Sequence, residues 1–332
     1  MASPKVKLFI VIAVVVVIGL GLVVFLYHNN PTFCLIQEAN AAVPECDYYP
    51  QSWYLDGIQQ LYPHNPLGYQ WSLEGNPENE PQNSGSSVQA VGGGWFNNQG
   101  SNLNNIRNEV YVPSYNHHLD TFDQSVWRQQ GYMSSPRDWK NVEVSGLFYP
   151  CSDCQGAGQG PHSIDFVIRG AENSDSPPLT CAATNYHIAY GFTGADGGGK
   201  LERDIDHQDI AGYCQGCRTA SQLAANTIPI VGLGHIFGFK VVLYNNVENT
   251  KVRMDVYLDR TGSGHEWQLI WSYVDKGGDP LIDSIRGQAH CQGERPDLPV
   301  TWAGPAIGFR MNASHLDYRQ LTAVEIIPPV WH

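Results

Sequence analysis

From residue 107 to residue 327 the chain breaks repeatedly into runs of five to ten residues in which apolar and polar side chains alternate, separated by Gly, Asn, Pro and Asp clusters. Successive side chains of a strand point to opposite faces, so such a run has one face to bury and one to leave polar. The clearest example is "KVRMDVYLDR" at residues 251–260. Val252, Met254, Val256 and Leu258 share one face; Lys251, Arg253, Asp255, Tyr257 and Asp259 share the other. In "FGFKVVLYNN" just before it, Phe237, Phe239, Val241 and Leu243 form the apolar face, and Lys240, Val242, Tyr244 and Asn246 the opposite one. "NVENT" at residues 246–250 is the turn that makes the two a hairpin.

Further strands are expected over residues 107–112, 141–150, 163–170, 186–192, 266–275, 306–312 and 322–327. Short strands at this spacing, with hardly a helix between them, predict an all-β, two-sheet antiparallel sandwich of the jelly-roll type. Composition agrees: 34 Gly, 17 Tyr and 9 Trp with only 15% charged residues favours turns and strands over helices. Residues 74–105, rich in Gly, Asn and Pro, carry no apolar period and are expected as a long loop or a crossing between sheet edges. No solenoid repeat, heptad or charge run is present.

The first residues set the compartment. Residues 8–27, "LFIVIAVVVVIGLGLVVFLY", contain no charge. About 20 apolar residues suffice to cross a bilayer as a helix, more than the core of a cleavable signal needs. Lys5 and Lys7 precede the run and no further Lys or Arg appears before Arg107, which predicts a cytoplasmic N-terminus and export of the rest. The expected organisation is a cytoplasmic end (1–7), a transmembrane signal-anchor or signal peptide (8–27), an extracellular stalk (28–60) and a jelly-roll domain (61–332). Small residues in "EANAAVP" leave cleavage and secretion open.

Export changes the meaning of the eight cysteines. Outside the cytoplasm an even count reads as disulfides. The knuckles Cys151/Cys154 and Cys214/Cys217 are 59 residues apart, far wider than a zinc ribbon, and disulfides are the favoured reading over zinc. Cys34 and Cys46 are expected to close a local loop. A net charge of −13 argues against nucleic acid as a partner. The acidic stretch at residues 194–209, with Asp196, Glu202, Asp204, Asp206, His207 and Asp209, offers carboxylate oxygens to calcium without EF-hand spacing. No cofactor is required, and the metal ligands are unassigned.

"FKVVLYNN" at residues 239–246 resembles the late F-K-x-x-x-Y-x-Q strand of the alginate and glucuronan lyases, members of the concanavalin-A-like lectin and glucanase superfamily. Phe239, Lys240 and Tyr244 match, and Asn246 stands where Gln would. Arg107 and Glu109 match an early R-x-E-x-R strand, with Tyr111 in place of its second Arg. His187 in "NYHIAYGF" is the intermediate His by order, without its Gln-x-His context, and "AVEI" at residues 323–326 is similar to a closing strand. The likeness spans about residues 100–327 through short motifs.

The resemblance implies β-elimination on an acidic polysaccharide. A cation or amide neutralises the uronate carboxylate, a base takes the neighbouring proton, and an acid protonates the leaving oxygen. On that reading Tyr244 is the acid/base, and His187 the base or its orienter. Arg107 and Asn246 neutralise the carboxylate, with Glu109 orienting Arg107. Lys240, Arg253 and Tyr257 contact substrate, and His207 is a second candidate His. These faces are expected to converge. A glycosidase would instead need paired carboxylates, and Glu266 in "HEWQLIW" faces Gln268 and Ile270. The rival readings are a non-catalytic, adhesin-like module meeting a polysaccharide or cell-surface glycan, and a structural surface protein. Asn312-Ala313-Ser314 is a glycosylation sequon on an expected surface turn.

Overall fold

The computed structural model describes residues 53–73, 83–85, 88–98, 106–111, 139–151, 163–170, 186–191, 229–277, 299–301, 303–304, 306–312 and 316–332. The expected membrane segment, Cys34 and Cys46, the acidic stretch with His207, and the second cysteine knuckle lie outside these residues. Every regular element among the described residues is a strand, and none of them forms a helix long and apolar enough to cross a membrane.

Two antiparallel sheets make the fold. The larger has eight strands: β13 (Gln268–Asp275), β12 (Val252–Asp259), β11 (Phe237–Asn245), β8 (Val142–Pro150), β15 (Leu316–Glu325), β6 (Trp95–Asn98) and β5 (Val88–Gly92) in order, with β3 (Gln70–Ser72) pairing β15 beside β6. The smaller has five: β10 (Tyr186–Gly191), β9 (Ser163–Gly170), β14 (Ala306–Asn312), β7 (Ile106–Tyr111) and β4 (Asn83–Gly85). Neighbours in space are often distant in sequence, as β8 with β15 and β9 with β14, which is how a sandwich closes around one core.

The alternation locates that core. Phe239, Val241 and Leu243 are fully buried, and Val252, Met254, Val256 and Leu258 are nearly so. All join one cluster with Ile164, Phe166 and Ile168 of β9, Ile188 and Tyr190 of β10, and Ile307 and Phe309 of β14. Rings cross between the sheets: Phe166 lies 5.0 Å from Phe239, and Tyr190 stacks on Phe239 at 5.4 Å and 14°. Each such ring contributes about 2–3 kcal/mol by leaving water, so this layer holds the two sheets together.

Two stretches depart from the expected layout. Residues 53–60, read as stalk, form β1 (Trp53–Leu55) and β2 (Ile58–Gln60), a separate two-stranded ribbon. The side chain of Ile58 is fully buried, and the compact unit begins by Pro50. Residues 74–105, read as irregular, supply β4, β5 and β6. Gly92 pairs Trp95 across a two-residue turn whose Gly93 and Gly94 have φ of +63° and +77°. Positive φ at both turn positions is the tight hairpin geometry that only glycine adopts without strain. Cys151, the residue after β8, is disulfide-bonded.

Candidate functional site

On β11, Lys240, Val242 and Tyr244 face away from the core onto the outer side of the larger sheet, beside Glu143 and Ser145 of β8, Asp255 and Tyr257 of β12, and Thr322 of β15. That side is covered. Residues 53–62 lie across it as a strap: Trp53, Leu55 and Tyr62 pack with Trp331 against Val242, Tyr244, Val324 and Ile326. Lys240 is fully buried and bonds the Glu143 carboxylate; it also donates to the Gln59 carbonyl at 2.5 Å. Its ammonium sits 4.5 Å from the Trp267 ring centroid. Glu143 also accepts the Leu61 N–H, at 2.9 Å on the same Oε1 and 3.0 Å on Oε2, and the Tyr62 N–H at 3.1 Å on Oε2. Lys240, expected to meet substrate, is therefore the ionic pin of the strap.

The same holds for its neighbours. Tyr244 is 2% exposed and donates its hydroxyl to Asp255 at 3.1 Å. Burial, reinforced by Tyr62 and the Asp255 carboxylate, pushes its phenol far above the ordinary range. Its ring is enclosed by Tyr62 at 5.9 Å and Trp331 at 6.2 Å, so the expected acid/base sits beneath the strap and not on an open face. Tyr257, half-buried against the strap, is also pushed up by burial and by Tyr62. Arg253 chelates Asp255, Nε to both oxygens at 3.0 Å. Asn246, expected on a carboxylate, spends its amide on its own hairpin: Oδ1 accepts the N–H groups of Thr250 at 2.8 Å and Lys251 at 2.9 Å, and Nδ2 donates to Glu248.

His187 and Arg107 belong to the other sheet. His187 is 1% exposed, with Nδ1 2.8 Å from the Asp165 carboxylate. On the smaller sheet one row runs His187, Val167, Gly308 and Glu109, and the next runs Ala189, Asp165, Arg310 and Arg107. The pairing thus gathers the register positions of His187, Glu109 and Arg107 on the smaller sheet. It leaves Tyr244, Asn246, Lys240, Arg253 and Tyr257 on or beside the larger one, beyond the core. The expected convergence of Tyr244 with His187 and Arg107 does not occur. Among the described residues no three His, Cys, Asp or Glu side chains form a metal-holding group.

A different place has the shape of a site. A cleft of about 520 Å³ opens at the β6 side of the larger sheet. Leu55 and Asp56 of the ribbon turn form one wall, the Gly93–Gly94 hairpin tip with Phe96 another, and Arg319 and Gln320 of β15 line it together with Ser72 and Leu73. Two of these non-glycine residues, Asp56 and Gln320, hold left-handed φ of +49° and +52°; such strain costs about 1–3 kcal/mol and concentrates at binding sites. Gln320 Nε2 fastens the walls by donating to the Asp56 carbonyl at 2.6 Å.

Arg319 is the group with unspent capacity. Its guanidinium lies 4.4 Å from the Trp95 ring centroid, and Trp95 is braced edge-on by Tyr149 at 6.4 Å. Arg319 Nε is enclosed yet has no hydrogen-bond partner. No motif marks this residue; its signal is the aromatic-and-glycine run "VGGGWF" beside "YRQ", which only strand pairing brings together.

No protein-family model and no curated protein matches the chain. Among solved structures it is similar to lectin II from Ulex europaeus (TM-score 0.40, 7% identity, 78% of this chain and 99% of that one). It is similar also to peanut lectin with a 9-mer peptide (0.38, 9%, 78% and 99%) and to winged bean acidic lectin complexed with methyl-α-D-galactose (0.39, 7%, 79% and 99%). Nothing in these likenesses is specific to lyases. At such scores they carry no argument about ligand or activity, and the two-sheet architecture rests on the strand pairing itself.

Proposed function

We propose that this chain binds a glycan bearing an anionic group in the cleft at Arg319, without cleaving it, on the outer side of the membrane to which its N-terminal segment directs it. The observation that carries the reading is Arg319. In a chain of net charge −13, an arginine half-sunk in a cleft would ordinarily be expected to pair with one of the many carboxylates. This one is stacked on Trp95 instead, with Nε enclosed and unpartnered. A guanidinium presents a planar fork matched to carboxylate or sulfate oxygens. Around it, Leu55 and Phe96 offer apolar surface and Asp56 and Gln320 offer polar groups, the mixture found in small-molecule sites.

Elimination would need a base beside the cation, and among the described residues no His or Tyr lines the cleft. The tyrosine expected to serve is enclosed under the strap. The test is a panel of neutral, carboxylated and sulfated saccharides, followed by calorimetry and by the ultraviolet absorbance of unsaturated uronate product. Binding confined to the anionic members, with no absorbance rise, is expected. An absorbance rise would restore the lyase reading, and binding confined to neutral members would remove Arg319 from it.

A further inference from the structure

At the far end of β15 a second device appears. Residues 63–69 wrap around Glu325, and four backbone hydrogen bonds hold them there or beside it. Asn65 N–H donates to the Glu325 carbonyl at 2.9 Å, and Glu325 N–H donates to the Tyr69 carbonyl at 2.8 Å. Gly68 N–H closes the loop on the Asn65 carbonyl at 2.8 Å, and Ile327 N–H reaches the Pro63 carbonyl at 2.9 Å. The Glu325 side chain lies inside this wrap. Gly68 presses on it so closely that a Cβ there would stand 2.5 Å from Oε2 and 2.7 Å from the Glu325 Cβ. Only glycine permits that approach.

A carboxylate in such a place normally has a cation or several N–H donors. Glu325 is 3% exposed and receives one, the Tyr69 N–H on Oε2 at 3.2 Å. Among the described residues, no Lys, Arg or His nitrogen comes within salt-bridge distance. The charged and titratable groups around it are few. Lys140, just before β8, acts on it only at longer range, and its own pKa is pulled down first by burial and then by Arg169. From the loop come Tyr69 and His64, the latter bridged to Ile326. On β8, Glu143 is committed to Lys240 and the strap.

We propose that the loop of residues 63–69 is a proton-operated clasp, closed over a neutral Glu325 and loosened when that carboxyl ionises. The carboxyl makes no ion pair with any described residue in the closed state, while an opened loop would give it water. Burial accordingly raises its pKa from 4.5 to about 7, with the Tyr69 N–H and Lys140 opposing. The closed form holds the proton more tightly than the open one. Closure is therefore fully favoured below the ordinary carboxylate range, weakens as pH climbs toward 7, and levels off above it. A displacement of that size corresponds to a change on the order of a hundredfold in the closing equilibrium. The inference stands apart from the ligand reading, since it concerns the loop alone.

Amide hydrogen exchange of the full chain tests it, read at Asn65 and Tyr69 and corrected for intrinsic exchange between pH 5 and pH 8.5. Wild type is expected to lose protection on the order of a hundredfold across that range. Glu325→Gln, which keeps the shape and cannot ionise, should give a flat profile, and His64→Gln should fall as wild type does. Flat protection in wild type alone overturns the proposal, whatever the variants do. So does a pH dependence that survives Glu325→Gln or disappears with His64→Gln, which would move the proton to another group.

Discussion

Replacing Lys240 with Met is expected to destabilise the fold by about 3–5 kcal/mol, the cost of stranding one member of a buried ion pair. Both side chains of the Lys240–Glu143 pair are 0% exposed. Methionine fills most of the lysine stem and leaves the Trp267 contact partly intact, so the loss is electrostatic more than steric. Glu143 would keep the Leu61 and Tyr62 N–H donors, which sets the expectation toward the lower end. For a domain of this size each kcal/mol moves the melting midpoint by about 2–4 °C, giving a fall on the order of 10 °C. Urea titration followed by tryptophan fluorescence measures the loss directly. The Lys240→Met, Glu143→Leu double variant closes a cycle in which the two losses should be far from additive. A solvated sheet-face lysine would instead cost less than about 1 kcal/mol. That smaller result would refute the strap as a pinned part of the fold and reopen Lys240 as a ligand contact.

Asn246→Ala removes both bonds that its Oδ1 accepts from the hairpin backbone, at about 0.5–1.5 kcal/mol each; a loss of roughly 1–3 kcal/mol in the same titration, with ligand affinity unchanged, is expected. Gly238→Ala would set a methyl 2.7 Å from the Trp267 ring and 3.1 Å from the Asp259 Cβ. It should cost about 1–3 kcal/mol as overpacking and red-shift the tryptophan emission as Trp267 leaves Lys240.

The strands were legible where one phase of alternation persists. "SIDFVIRG" and "AIGFRMN" match β9 and β14 to the residue, and the core faces of β11 and β12 follow from parity. The start of β15 was not legible, because its alternation changes phase. Leu316 and Tyr318 point inward, then Leu321 and Ala323 do. The register shift between Arg319 and Thr322 inserts the extra residue, a bulge that re-aims the strand. Gln320 and Arg319 reach the cleft at that same irregularity, so the feature that hid the strand also builds the site. The short strands of residues 83–98 lack apolar alternation and stand by pairing alone.

The expected catalytic set failed for a different reason. Parity puts Lys240 and Tyr244 on one face of β11 and Tyr257 on the polar face of β12, and strand pairing joins the two, but parity cannot tell a solvated face from one roofed by another segment. The roof came from residues read as stalk. Nor can it tell which sheet a strand joins, and that separated His187 and Arg107 from Tyr244.

The central claim, that a glycan is held at Arg319 and not beneath the strap, is tested most directly by one affinity comparison. Wild type, Arg319→Gln and Tyr244→Phe are titrated by calorimetry with the same anionic saccharide. A charge-assisted bond is worth about 1.5–3 kcal/mol, and 1.4 kcal/mol is about tenfold in affinity. The account predicts at least a tenfold loss for Arg319→Gln and wild-type affinity for Tyr244→Phe. Unchanged binding by Arg319→Gln, or a comparable loss in Tyr244→Phe, would contradict it.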